Sequence, residues 1–161
     1  MQELKIQFKK AKDQKQHSIR LERPDGTSEW SYIKSLVHHD LAHFVIETHF
    51  GICRGFYGEV LSGTSMEMLS AAGVIKAYEW SADIFLAETL VNAFQQIVLM
   101  GEDFNAFSQH LIQIADKNAL IPNISCNEFD EIRAKLLSLW KKWDALQPGE
   151  SLSLSFISNE L

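Results

Sequence analysis

The chain has 161 residues, 46% of them hydrophobic and 22% charged, with a formal net charge of −6. This is one domain's worth of sequence with enough apolar material to close a single core. It excludes a disordered chain, a collagen-like chain and a disulfide miniprotein. The opening residues contain no apolar run of the kind a signal peptide needs. No unbroken apolar stretch approaches the roughly 18 residues of a membrane span, so none is expected. The two cysteines, Cys53 and Cys126, lack the spacing of a disulfide framework or a metal-ligand pair, and imply a reduced, cytoplasmic setting.

The first 23 residues carry a net charge of +4 and the remainder −10. Leu4, Ile6 and Phe8 alternate with polar residues, and the nearby lysines (Lys5, Lys9, Lys10, Lys12, Lys15) read as the solvated outer face of a strand, where like charges also discourage strand-to-strand aggregation. The acidic remainder would repel phosphate backbones, so no nucleic-acid partner is expected. Ile19 and Leu21 continue the two-residue period. Arg23-Pro24-Asp25-Gly26-Thr27 has the composition of a tight turn. Trp30 and Tyr32 alternate with Glu29 and Ser31 in a returning strand.

From Ser35, a candidate helix cap, the period changes to that of a helix ending at Gly51. A second helix, apolar over most of its circumference, is expected from about Ile75 to Met100 as the central buried element. Glu79 and Asp83, one turn apart at its head, read as charges favoured by the helix dipole. Two more helices are expected near Asp103–Asn118 and Asn127–Leu146, separated by Pro122 and stopped by Pro148-Gly149. Ser151 to Phe156 alternates strictly and should pair with the N-terminal strands. The expectation is one α+β domain over residues 1–161, with a small antiparallel sheet and four to five helices. Trp140 and Trp143 read as core and His110 as ordinary surface.

The unusual segment is Val37 to His49, which holds four of the six histidines. Residues four apart on a helix lie one above the other, so His39, His43 and Glu47 form one stripe and Asp40, His43 and Glu47 an overlapping one. Two imidazoles one helical turn apart are a ready pair of ligands for zinc or another borderline divalent ion. A carboxylate one turn further can ligate, or orient an imidazole through its second nitrogen. The glycines at 51, 55 and 58 let the chain turn back, which would bring Glu59 against the histidine helix as a further ligand. The alternative is that the same side chains form a hydrogen-bonded polar network in a non-enzymatic binding or interaction module.

His39-Asp40-x-x-His43 followed by Gly58-Glu59 resembles the HDxxH…GE motif of the ubiquinone-biosynthesis scaffold family, whose members bind zinc through the two histidines, the aspartate and the downstream glutamate. The likeness covers about twenty residues and implies a metal set of His39, Asp40, His43 and Glu59. The run His39-Asp40-Leu41-Ala42-His43-Phe44-Val45-Ile46-Glu47 with Gly55-Phe56-Tyr57-Gly58 also looks like that of a set of small bacterial proteins, which implies a bacterial cytosolic chain and no particular reaction. His39-Asp40-x-x-His43 is further similar to the zincin pattern HExxH, with the shorter aspartate in the place of the general base. That likeness implies a metallohydrolase. The HD phosphohydrolase pattern matches only weakly. Substrate, reaction and oligomeric state are not legible.

Overall fold

The computed structural model describes residues 1–33, 36–69, 81–115 and 120–158. Four antiparallel strands, β1 (Gln2–Lys9), β2 (Ser18–Glu22), β3 (Ser28–Tyr32) and β4 (Ser151–Ser158), form one sheet in the order β3-β2-β1-β4. Five helices have described bounds: α1 (Val37–Phe50), α2 (Phe56–Leu61), α3 (Ala82–Met100), α4 (Phe104–Ile114) and α5 (Cys126–Ala145). The architecture is α+β, with the three N-terminal strands and the C-terminal strand in one sheet as the alternating patterns imply.

Because side chains alternate across a strand, Leu4, Ile6 and Phe8 all point to the core face and are fully or almost fully buried. Their cross-strand partners Leu21 and Ile19 on β2, and Phe156, Leu154 and Leu152 on β4, share that face. β1 is therefore an interior strand. Lys5 and Lys9 stand on the solvated outer face of the sheet, as the charge pattern suggested; the edges of the sheet are β3 and β4. The turn behaves as its composition requires: Gly26 takes φ +83° and Asp25 accepts from the Thr27 N–H and hydroxyl.

The returning strand has an unexpected polarity. Trp30 and Tyr32 face solvent, while Glu29 turns inward to pair with Arg23 and to accept from the Met66 N–H. The pairing of Trp30 with Arg20 and of Glu29 with Leu21 fixes this orientation.

Helix ends follow side-chain chemistry. Ser81, Asp103 and Ser125 cap α3, α4 and α5, each accepting from a backbone N–H three residues on. α1 and α3 both stop at glycines in the left-handed conformation, Gly51 and Gly101. Ser35 and the segment from Ile75 to Trp80, including Glu79, lie outside the described residues.

α1 is the pivot of the fold, packing against α3, α5 and the sheet. α3 is long and apolar enough by composition to cross a bilayer, yet it buries Leu90, Val91, Phe94, Ile97 and Val98 in the core. Phe94, Phe107 and Phe129 join α3, α4 and α5 through ring contacts of 4.4–5.6 Å. Trp140 and Trp143 are buried, as expected, with the Lys10 ammonium over the Trp143 ring.

Gly58 shows how tightly the chain folds back after α1. A Cβ there would lie 1.8 Å from the Cys53 carbonyl oxygen, a backbone atom that cannot step aside. Gly58→Ala should lower stability by about 3 kcal/mol or more, at the upper end of overpacking costs, read as a reduced urea midpoint.

Candidate metal centre

The four histidines of α1 divide by helix face. His38 and His49, three turns apart, face α5, where they meet Asp144 and Glu128 at 3.2 Å. His39 and His43 face α3, their rings in edge contact with centroids 4.9 Å apart. This is the pair that the four-residue spacing singles out.

α3 supplies what the sequence of α1 does not contain. His43 Nε2 lies 3.3 Å from Glu88 Oε1, and His39 Nε2 lies 4.0 Å from Glu88 Oε2. One nitrogen from each ring and one carboxylate oxygen of Glu88 fall within 4.8 Å of one another. Ligands held about 2.0–2.2 Å from a tetrahedral ion stand about 3.3–3.5 Å apart, so the His43–Glu88 edge at 3.3 Å is already closed and the others, none longer than 4.8 Å, lie within reach of small side-chain adjustments.

The opposite nitrogen of each ring is tied down. His39 Nδ1 donates to Gln95 Oε1 at 2.8 Å, and His43 Nδ1 donates to Glu47 Oε1 at 3.0 Å. Both rings are thus oriented by acceptors at Nδ1 and present Nε2 to Glu88, the arrangement that outer-shell partners impose on metal-binding imidazoles.

Glu47 sits at the centre of this support. It is fully buried, and its two oxygens also accept the N–H groups of Phe56 and Tyr57 at 2.9 and 3.0 Å, capping the start of α2. Gly55 makes room for it: a Cβ there would lie 2.5 Å from the Glu47 carboxyl carbon. The glycines do bring α2 back onto α1, but Glu47 receives the contact. Glu59 turns away, bonding Arg54 Nε at 2.7 Å and the Thr64 hydroxyl at 3.1 Å. Asp40 is half-buried beside the cluster, and its backbone carbonyl accepts from the Tyr57 hydroxyl at 2.8 Å. Of the residues named from sequence, His39 and His43 converge on Glu88, Glu47 orients His43, Asp40 stands alongside, and Glu59 belongs to a separate ion pair.

Glu88 was not singled out by sequence, although α3 carries a signal. It is the sole charged residue between Asp83 and Met100, and with Asn92 and Gln95 it makes a polar stripe at offsets of four and seven on an apolar helix. A carboxylate in such a stripe needs a partner.

The electrostatics leave the cluster short of positive charge. Burial pulls the His43 pKa down, but its hydrogen bonds to Glu47 and Glu88 outweigh this and lift it to about 10. Burial and the neighbouring His43 charge push His39 below its ordinary value, so its Nε2 keeps a free lone pair at neutral pH. For Glu88, burial is outweighed by His43 and His39, and the carboxyl titrates below its usual range. Burial raises Asp40 to about 6. At neutral pH the His43 imidazolium therefore faces the Glu88 carboxylate, with the mostly ionised Asp40 beside it; burial raises the Glu47 pKa, against the His43 and backbone hydrogen bonds that lower it.

These shifts set a pH dependence for the ion-free protein. His43 and Asp40 both hold their protons more tightly in the folded state than in the unfolded state. The stabilisation from His43 is complete below its unfolded value of 6.5 and is lost as pH rises to about 10; that from Asp40 is lost between 3.8 and about 6. In chelator-containing buffer the urea midpoint should fall between pH 6.5 and 10, and His43→Gln should flatten that fall.

The cluster lies between two spaces. A small cavity of about 30 Å³ touches His43, Phe56 and Glu88. A groove of about 630 Å³ has His39 and Glu88 in its wall. His110, read from sequence as ordinary surface, lines the same groove. Asp40 lines neither space. No protein-family model, curated protein or solved structure matches the chain.

Proposed function

We propose that this protein binds one divalent metal ion, zinc foremost, through His39 Nε2, His43 Nε2 and the carboxylate of Glu88. One observation carries the reading: two rings on one helix, each fixed at Nδ1 by its own acceptor, turn their Nε2 atoms toward the same carboxylate on another helix. A cation also answers the excess of negative charge, since it replaces the proton on His43 and brings one more unit of charge than that proton. Two histidines and a glutamate are a ligand set that leaves coordination positions open, as in catalytic zinc sites and in two-histidine, one-carboxylate iron sites. Such an ion polarises a bound oxygen and lowers the pKa of bound water.

Equilibrium dialysis of untagged protein against zinc tests the reading. One zinc per chain is expected in the wild type and none in His43→Ala. Zinc that is absent from the wild type, or retained equally by the variant, would leave the cluster as an internal polar network. Gln95→Leu removes the acceptor behind His39 and should weaken zinc about 10–100-fold in chelator competition, without changing the stoichiometry at saturation.

A further inference from the structure

The two edges of the sheet meet solvent differently. β3 is five residues long and turns the charged Glu29 inward, two devices that keep an edge strand from pairing with another chain. β4 is eight residues long, pairs with β1 along its whole length without a bulge, and contains no charged residue, proline or glycine. Alternate residues of such a strand turn their N–H and C=O groups away from the neighbouring strand. From Ser151 to Ile157, these groups on the outer edge of β4 bond to nothing among the described residues. The core face is open at the same place. Leu152 and Leu154 are only half-buried, and a groove of about 710 Å³ beside Leu154 is lined by Phe44 and Val45 of α1 and by Lys135, Leu139 and Lys142 of α5.

An unguarded edge accepts a strand, and the residues of β4 fit a second β4. Read in either direction from Leu154, the core face is apolar (Leu152, Phe156) and the outer face is uncharged (Ser151, Ser153, Ser155, Ile157). A two-fold axis through Leu154 pairs two such strands antiparallel, with Leu152 of one copy opposite Phe156 of the other, Ser153 opposite Ser155 and Ser151 opposite Ile157. No like charges meet across this pairing. The same axis reverses α5, which runs alongside α1 from the Glu128–His49 contact to the Asp144–His38 contact and flanks Leu154 across the groove. The acidic first half of one α5 (Glu128, Asp130, Glu131) is then set toward the basic last turn of the other (Lys141, Lys142), so the charges complement one another.

We infer that β4 joins two copies of this chain edge to edge, making one sheet of eight strands, four from each copy, with Leu154 on the two-fold axis. The second copy brings its own Leu154 and α5 to the mouth of the groove. This interface lies on the α5 side of α1, whereas His39 and His43 turn toward α3, so dimerisation does not depend on the metal.

Sedimentation velocity of the full chain across the micromolar range tests this. The wild type should sediment at twice the mass of one chain. The double variant Ser153→Glu, Ser155→Glu sets carboxylates opposite one another across the axis. Within its own chain residue 155 faces Lys5 and residue 153 faces Gln7, so the fold is kept. Its dimer dissociation constant should rise by at least about tenfold. Ser153→Lys, Ser155→Lys should weaken the dimer likewise, and mixing the two variants in equal amounts should restore it, because each lysine then meets a glutamate. Circular dichroism shows that both variants are folded. A monomeric wild type, open-ended aggregates in its place, a glutamate variant that dimerises as tightly as the wild type, or a mixture no tighter than either variant alone would overturn the inference.

Discussion

Glu88→Ala should abolish high-affinity metal binding, whereas Glu59→Gln should leave it unchanged. The two glutamates are separated by geometry, not by chemistry. Both oxygens of Glu88 approach imidazole nitrogens of α1, at 3.3 and 4.0 Å. Both oxygens of Glu59 are already engaged, by Arg54 and Thr64. Removing one of three ligands should cost more than the about 10–100-fold that follows loss of an outer partner. Asp40→Asn completes the set. Its carboxylate neighbours His43 but lines neither space beside the triad, so the expected loss is modest. Zinc competition on the three variants, with circular dichroism to show that each is folded, reads the comparison directly.

Glu47→Ala should be the most destabilising substitution in the cluster, costing about 3–5 kcal/mol, the range for breaking a buried charged pair. The side chain has no exposed surface and serves three donors: the His43 ring and the N–H groups of Phe56 and Tyr57. Alanine would leave a buried imidazolium with one carboxylate fewer and would free two N–H groups at the start of α2. For a chain of this size the melting temperature should fall by roughly 10 °C or more. Glu47→Gln keeps the volume and one acceptor oxygen, and should cost less. Equal losses for alanine and glutamine would mean that packing, not charge and hydrogen bonding, holds this corner.

Much of the fold follows from local pattern. The alternation in β1 and β4 and the turn around Gly26 are short-range features, and they appear as the residues imply. The histidine pair is legible for the same reason, because a helix fixes the relation of residues four apart whatever surrounds it. What closes the site is not local. Glu88 lies 45 residues beyond His43, and its approach depends on how α3 packs on α1, which no spacing within either helix specifies. Glu47 and Glu59 were equivalent as acidic side chains near the histidines. They part because Gly55 admits the Glu47 carboxylate beneath the start of α2, while Arg54 draws Glu59 away. The outward tilt of Trp30 and Tyr32 was hidden likewise, since register with β2 decides which face of an edge strand is wet.

The central claim is that His39, His43 and Glu88 converge on one ion, and X-ray absorption spectroscopy of the zinc-loaded protein at one equivalent tests it most directly. A first shell of nitrogen and oxygen at about 2.0–2.2 Å is expected, with outer scattering from two imidazole rings that disappears in the His39→Ala, His43→Ala double variant. A shell without imidazole scattering, or one that keeps two rings in the double variant, would contradict it.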